Sequence, residues 1–157
     1  RPRALELLSG EGARHVPREE RGPTELTPEG RVRGAKKLAA MFRFLCAMPG
    51  IPSIYYGDEA GLSGTDDPYN RRPFPWDHID AELHAAFREA SVHRQTEPLW
   101  TQGECRVDFF GSDLLRVTRA GNGRSRCAIL NRAPVRRIWP GIGEIPPHSC
   151  AYTDCFT

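Results

Sequence analysis

The run Pro49-Gly50-Ile51-Pro52-Ser53-Ile54-Tyr55-Tyr56-Gly57-Asp58-Glu59 constrains this chain more than any other stretch. Ile51 to Tyr56 reads as a buried strand, with Pro52 tolerated beside its start. Carboxylates stand at its end. The segment Gly64-Thr65-Asp66-Asp67-Pro68-Tyr69-Asn70-Arg71-Arg72-Pro73-Phe74-Pro75-Trp76-Asp77 then mixes acids, arginines and aromatic rings. Acids and arginines hydrogen-bond hydroxyl groups, and rings cover the apolar faces of sugars.

The residues on either side set the local pattern. Ala4 to Leu8 is a short apolar run that reads as a strand, and Ser9 to Arg14 turns the chain. Residues 15–26 are polar and hold Pro17, Gly22 and Pro23, so they read as a loop. Thr27-Pro28-Glu29 starts a helix: Thr caps free amides, Pro is tolerated in the first turn, and Glu suits the positive end of the dipole. Ala35, Leu38, Ala39, Phe42, Leu45 and Cys46 form its apolar stripe, and Pro49-Gly50 ends it. Strand, helix and strand predict a right-handed parallel βαβ unit.

Residues 61–79 exceed an ordinary βα loop, which runs about 2–6 residues. Tyr69, Phe74 and Trp76 argue against disorder there. Asp80 is placed to cap a second helix with the stripe Leu83, Ala86, Phe87 and Ala90, closed by Pro98. After Leu99 the pattern changes, with alternation over Arg106 to Phe109 and Leu115 to Thr118. Arg106 to Phe109, Leu115 to Thr118 and Cys127 to Leu130 read as strands, and Gly121-Asn122-Gly123 is a hairpin turn. Residues 138–157 predict turns and one more hairpin. The change of pattern places a domain boundary near residue 98.

Net charge is +2, and the eight arginines between Arg106 and Arg137 are spread along strands and turns. That pattern reads as a solvated sheet face and not as a nucleic-acid surface. No apolar run approaches the ~20 residues that span a bilayer. Among Cys46, Cys105, Cys127, Cys150 and Cys155 there is no Cys-x-x-Cys pair, and the scattered histidines offer no zinc spacing. An odd cysteine count predicts a reducing, cytoplasmic setting with free buried thiols, the alternative being a Cys150–Cys155 bridge across a terminal hairpin.

The combination of Tyr55-Tyr56-Gly57-Asp58-Glu59 with Asp67-Pro68 and Arg71-Arg72-Pro73 resembles the last barrel strand and following loop of the alpha-amylase family of glycoside hydrolases. Its neopullulanase, cyclomaltodextrinase and maltogenic amylase branch is the nearest likeness. The resemblance implies an α/β region followed by an all-β region. Residues 1–98 would be the C-terminal part of a TIM (β/α)8 barrel, its last two strands and helices. Residues 99–157 would be a small antiparallel β-sandwich, which Asn131-Arg132 also resembles. A whole barrel takes about 250 residues. The 157-residue chain begins at Arg1 without Met, so a piece of a longer protein is expected.

The resemblance further implies a parent that hydrolyses or transfers α-1,4 or α-1,6 glucosidic bonds of α-glucans or maltooligosaccharides with retention. An Asp nucleophile and a Glu acid/base on earlier strands would do this, and neither strand is in the sequence. The chain alone is then expected to be inactive, with no cofactor and no metal; a homodimer is an expectation for the full-length parent. Leu7-Leu8-Ser9-Gly10-Glu11-Gly12-Ala13-Arg14 matches the end of the family's seventh strand with departures. Ser9 and Arg14 agree. Gly10 replaces a sugar-binding His, and Glu11 stands where an Asp steadies the transition state. One extra methylene misplaces an oxygen, and such shifts cost about 100-fold in rate, so an ordinary turn with an exposed Glu is the competing reading of Glu11.

Asp67 and Arg71 have the spacing of a pair that contacts glucose units in this branch; a salt bridge that fixes the loop is the plainer alternative, and both can hold. Asp58 and Glu59 are neighbours that point to opposite faces, which favours a structural role. Trp76 is expected to plug the barrel mouth. The rival to an enzyme piece is a noncatalytic amylase-like protein that binds sugar or a partner.

Overall fold

The computed structural model describes residues 1–11, 17 and 25–155. Along these residues run helices α1 (Ala4–Ser9), α2 (Pro28–Ala47), α3 (Ala81–Thr96) and α4 (Leu99–Gln102). Strands β1 (Glu104–Phe110), β2 (Leu114–Gly121), β3 (Arg124–Asn131), β4 (Arg137–Trp139), β5 (Gly143–Ile145) and β6 (Ser149–Asp154) follow. The chain divides into two compact units, one of Arg1–Leu38 with Ser53–Ala85 and the other of Ala39–Pro52 with Ala86–Thr157. Pro98 stands just before α4, and the first strand begins at Glu104.

Two expected strands are absent among the described residues. Ala4–Ser9 is an α-helix, with Gly10 as its left-handed C-cap at φ 80°. Ala, Leu and Glu are strong helix formers and the segment has no β-branched residue, so propensity favours the helix once no sheet partner competes. Glu6 and Leu5 are buried on it. Gly34 of α2 lets α1 pack closely, since a Cβ there would lie 2.8 Å from the Leu5 carbonyl oxygen.

Ile51 to Tyr56 likewise forms no strand, and the parallel βαβ unit is not present among the described residues. A strand needs lateral partners for its amides and carbonyls. Here the Tyr55 carbonyl accepts from Asp58 and the Gly57 carbonyl from Ala60 and Leu62, so the chain turns on itself. Ile51 is 96% exposed and Tyr55 50%.

The second unit is a small antiparallel sheet domain with helices. Its four-stranded sheet has the order β1-β2-β3-β6, and β4-β5 form a separate ribbon. The β2–β3 turn is the expected one: Gly121 pairs with Arg124, and Asn122 and Gly123 both take positive φ, 52° and 70°. Two central residues of that sign match the twist of a hairpin. Alternation separates the two faces of the sheet. Val117, Ala128, Leu130 and Cys150 join Ala40, Ala47 and Trp100 in one core. Leu114, Cys127 and Ile129 join Ile145 of the ribbon in the other. Asn131 is fully buried. Its Nδ2 lies within reach of the carbonyls of Val135, Ile145 and Pro146, and its Oδ1 accepts from Ala133 N–H, so it ties the ribbon to β3.

The cysteines correct the sequence reading. Cys127 and Cys155 are joined by a disulfide, so the bridge to Cys155 comes from β3 and not from Cys150. Cys46 and Cys150 are free and buried, and Cys105 is free and exposed. Burial pushes the Cys46 thiol up to about 11 and the Cys150 thiol to about 12, which makes both inert at neutral pH.

Candidate functional site

Glu11 sits one residue beyond the C-cap of α1, and the start of α2 reaches it. Thr27 N–H and Thr27 Oγ1 donate to its carboxylate at 2.9 and 2.6 Å, and Arg33 Nη2 donates at 3.2 Å. Thr27 Oγ1 in turn accepts from Gly30 N–H at 3.0 Å, the helix cap expected from sequence. Arg33 Nε binds the Ser9 carbonyl at 2.6 Å. The Thr27 hydroxyl, then the Thr27 amide, and more weakly Arg33 hold the Glu11 carboxyl below its usual range. Among the described residues Glu11 is thus engaged with the α2 N-terminus, and its carboxylate partners do not include Asp67 or Arg71. Arg14 lies outside the described residues.

Asp67 and Arg71 are brought together. Arg71 Nε lies 2.9 Å from Asp67 Oδ1, and the two side chains stay 69% and 51% exposed, respectively. Their loop is closed by turns, with Tyr69 N–H to the Asp66 carbonyl and Arg71 N–H to the Pro68 carbonyl. Trp76 is 77% exposed and tilts against Phe74. Asp58 ion-pairs with Arg3 at 3.2 Å. Desolvation raises the Asp58 carboxyl and Arg3 partly offsets it.

Beside the loop, and within the first unit, lies a cavity of about 500 Å³ lined by residues that include Glu25, Arg31, Ser63, Arg72, His78 and Asp80. Asp80 Oδ1 accepts from Leu83 N–H as the cap of α3, and Arg31 Nη1 donates to the Gly61 carbonyl. Sequence reading assigned Asp80 its cap but missed Arg31 and Arg72 as lining residues. Arg72 adjoins Arg71, which was the available signal; Arg31 lies on α2, far away in sequence, and nothing local marks it. Among the described residues no group of three or more His, Cys, Asp and Glu side chains could hold a metal ion, and no helix is long and apolar enough to cross a membrane.

No family model matches the chain. Sequence comparison finds an amylopullulanase of Thermoanaerobacter thermohydrosulfuricus, 41% identical over 83 residues, which is 53% of this chain and 6% of that protein. A cyclomaltodextrinase of Thermoanaerobacter pseudethanolicus is 31% identical over 106 residues, covering 65% of this chain and 18% of its own length. Among solved structures, a maltogenic amylase from S. marinus superposes with a TM-score of 0.68 at 29% identity, over 76% of this chain and 19% of that one. The chain therefore matches only a minor part of each of these relatives.

Proposed function

We propose that this chain, a relative of the alpha-amylase family of glycoside hydrolases over part of its length, contributes one wall of a carbohydrate cleft through Asp67 and Arg71. The observation that carries the reading is the exposed Asp67–Arg71 pair. An ionised Asp accepts two hydroxyl protons, and Arg offers a rigid fork of donors. Held side by side, they suit adjacent hydroxyls of an α-glucan or maltooligosaccharide. The cavity beside the loop supplies further donors from Arg31 and Arg72.

In this reading residues 1–98 are the closing part of a (β/α)8 barrel whose earlier strands carry the nucleophile and the acid/base of a retaining α-glucosidic hydrolase or transglycosylase. Residues 99–157 are its C-terminal sheet domain, and the parent is cytoplasmic. Glu11 then acts on the α2 N-terminus and not on the sugar, as its partners favour. The departure at Gly10 and Glu11 supports the rival, a noncatalytic relative that keeps the sugar contacts.

Titration calorimetry of the chain with maltotetraose tests the binding. Asp67→Asn and Arg71→Gln should each weaken it about tenfold, the effect of losing one charge-assisted hydrogen bond. The chain alone should release no glucose or maltose from maltotetraose. Wild-type affinity in both variants sinks the site assignment, and hydrolysis by the isolated chain sinks the division of labour.

A further inference from the structure

We infer that Arg3 is the positioning residue that sets the 64–72 loop for Asp67 and Arg71. This deepens the reading just given and rests on it only where sugar affinity is measured. An exposed ion pair such as Asp67–Arg71 is too weak to order a loop unaided, so the order must come from buried contacts beneath it.

Arg3 supplies them. Its side chain is 1% exposed. Its backbone N–H donates to the Gly64 carbonyl at 2.9 Å, and its Nε donates to the Asn70 carbonyl at 2.8 Å. One residue thus holds both flanks of the Asp67 turn. Its Nη1 donates to the Tyr56 carbonyl at 2.8 Å and to Asp58 at 3.2 Å, and the guanidinium lies 4.7 and 4.6 Å from the ring centres of Tyr55 and Tyr56. Tyr56 Oη also binds the Arg72 carbonyl at 3.1 Å. Arg3 therefore anchors the loop to the 56–58 turn by a planar fork, a geometry that a lysine's point charge cannot reproduce.

Amide hydrogen exchange on the full chain, wild-type against Arg3→Lys and Arg3→Met, provides the test. The amides of Tyr69 and Arg71 should exchange about tenfold faster in both variants, as expected for loss of a charge-assisted bond beneath a local opening. Those of Val117 and Ile129 in the sheet should keep their wild-type rates. Unchanged loop amides overturn the inference, and so does an equal acceleration in the sheet. Should Arg3→Met fail to fold, Arg3→Lys decides, because it keeps a cation beside Asp58.

Maltotetraose affinity separates positioning from plain stability. Arg3→Lys should weaken binding about tenfold in the wild-type background and leave it unchanged in Arg71→Ala, the non-additivity of coupled residues. An equal loss in both backgrounds overturns positioning. A wild-type chain that ignores maltotetraose ends the proposed sugar site, and the exchange rates then decide the role of Arg3 alone.

Discussion

At Glu11 one carboxylate receives the Thr27 amide, the Thr27 hydroxyl and the Arg33 guanidinium. Those donors favour the charged form, so the folded chain holds the carboxyl below its ordinary value of 4.5. The sign of the linkage follows. Where the folded pKa lies below the unfolded one, the contribution is complete above about pH 4.5 and is lost as pH falls through the lower folded value. Glu11→Gln should lower the thermal midpoint at pH 7, and its curve should meet the wild-type curve in strong acid. Midpoints measured from pH 7 down to pH 2 check this; parallel curves would show that the charge of Glu11 is irrelevant to folding. The sequence placed Glu11 at a turn and left its role open between catalysis and exposure. Its partners lie 16 and 22 positions away, beyond what any local pattern reveals.

Helix α2 shows which elements could be read and which could not. Its start was legible because a cap is a local event, and Thr27 binds Gly30 as the spacing requires. Its end was legible only as a stop. The last turn carries no basic residue of its own. Arg94 of α3 reaches across to the carbonyls of Cys46, Met48 and Gly50, while the buried Arg119 binds the Ala47 carbonyl at 3.2 Å. Two cations thus meet the negative end of the helix dipole. Arg94→Met keeps much of the aliphatic stem and removes all three bonds. It should cost about 2 kcal/mol, the scale of charged hydrogen bonds to otherwise orphaned carbonyls. Urea denaturation followed by far-UV circular dichroism measures it, and an unchanged midpoint would leave water as an equal partner for those carbonyls. The hairpin of β2 and β3 was equally legible, since Asn-Gly fixes the turn. Residues 51–56 were not: β-propensity describes fit to a sheet, and no described strand lies beside them.

Across the whole molecule both units leave large apolar side chains exposed, Tyr55 and Trp76 in the first and Phe109 and Ile138 in the second, and the second also gathers two cores on opposite faces of one sheet. Alternation in 106–109 and 115–118, and the apolar run 127–130, made three strands of that sheet readable; pairing of cysteines is not encoded by any period, which is why Cys127 was missed as the partner of Cys155. The bridge joins β3 to the residue after β6 across 28 positions. Ser125 reinforces it, accepting from Cys155 N–H and donating to the Cys155 carbonyl, each at 3.1 Å. Closing a loop of that length removes unfolded-state entropy equivalent to about 3–4 kcal/mol. Reduction should therefore lower the urea midpoint of the sheet unit by the corresponding amount, and Cys127→Ser should match the reduced wild type. Cys105→Ser, which changes an exposed free thiol, should leave the response to reductant intact. Free-thiol titration of the unfolded chain, made without reductant, gives the independent count: the bridged chain offers Cys46, Cys105 and Cys150 only. Titration of all five cysteines together with a reductant-independent midpoint would remove the bridge. That outcome would match the free thiols that the odd cysteine count predicts.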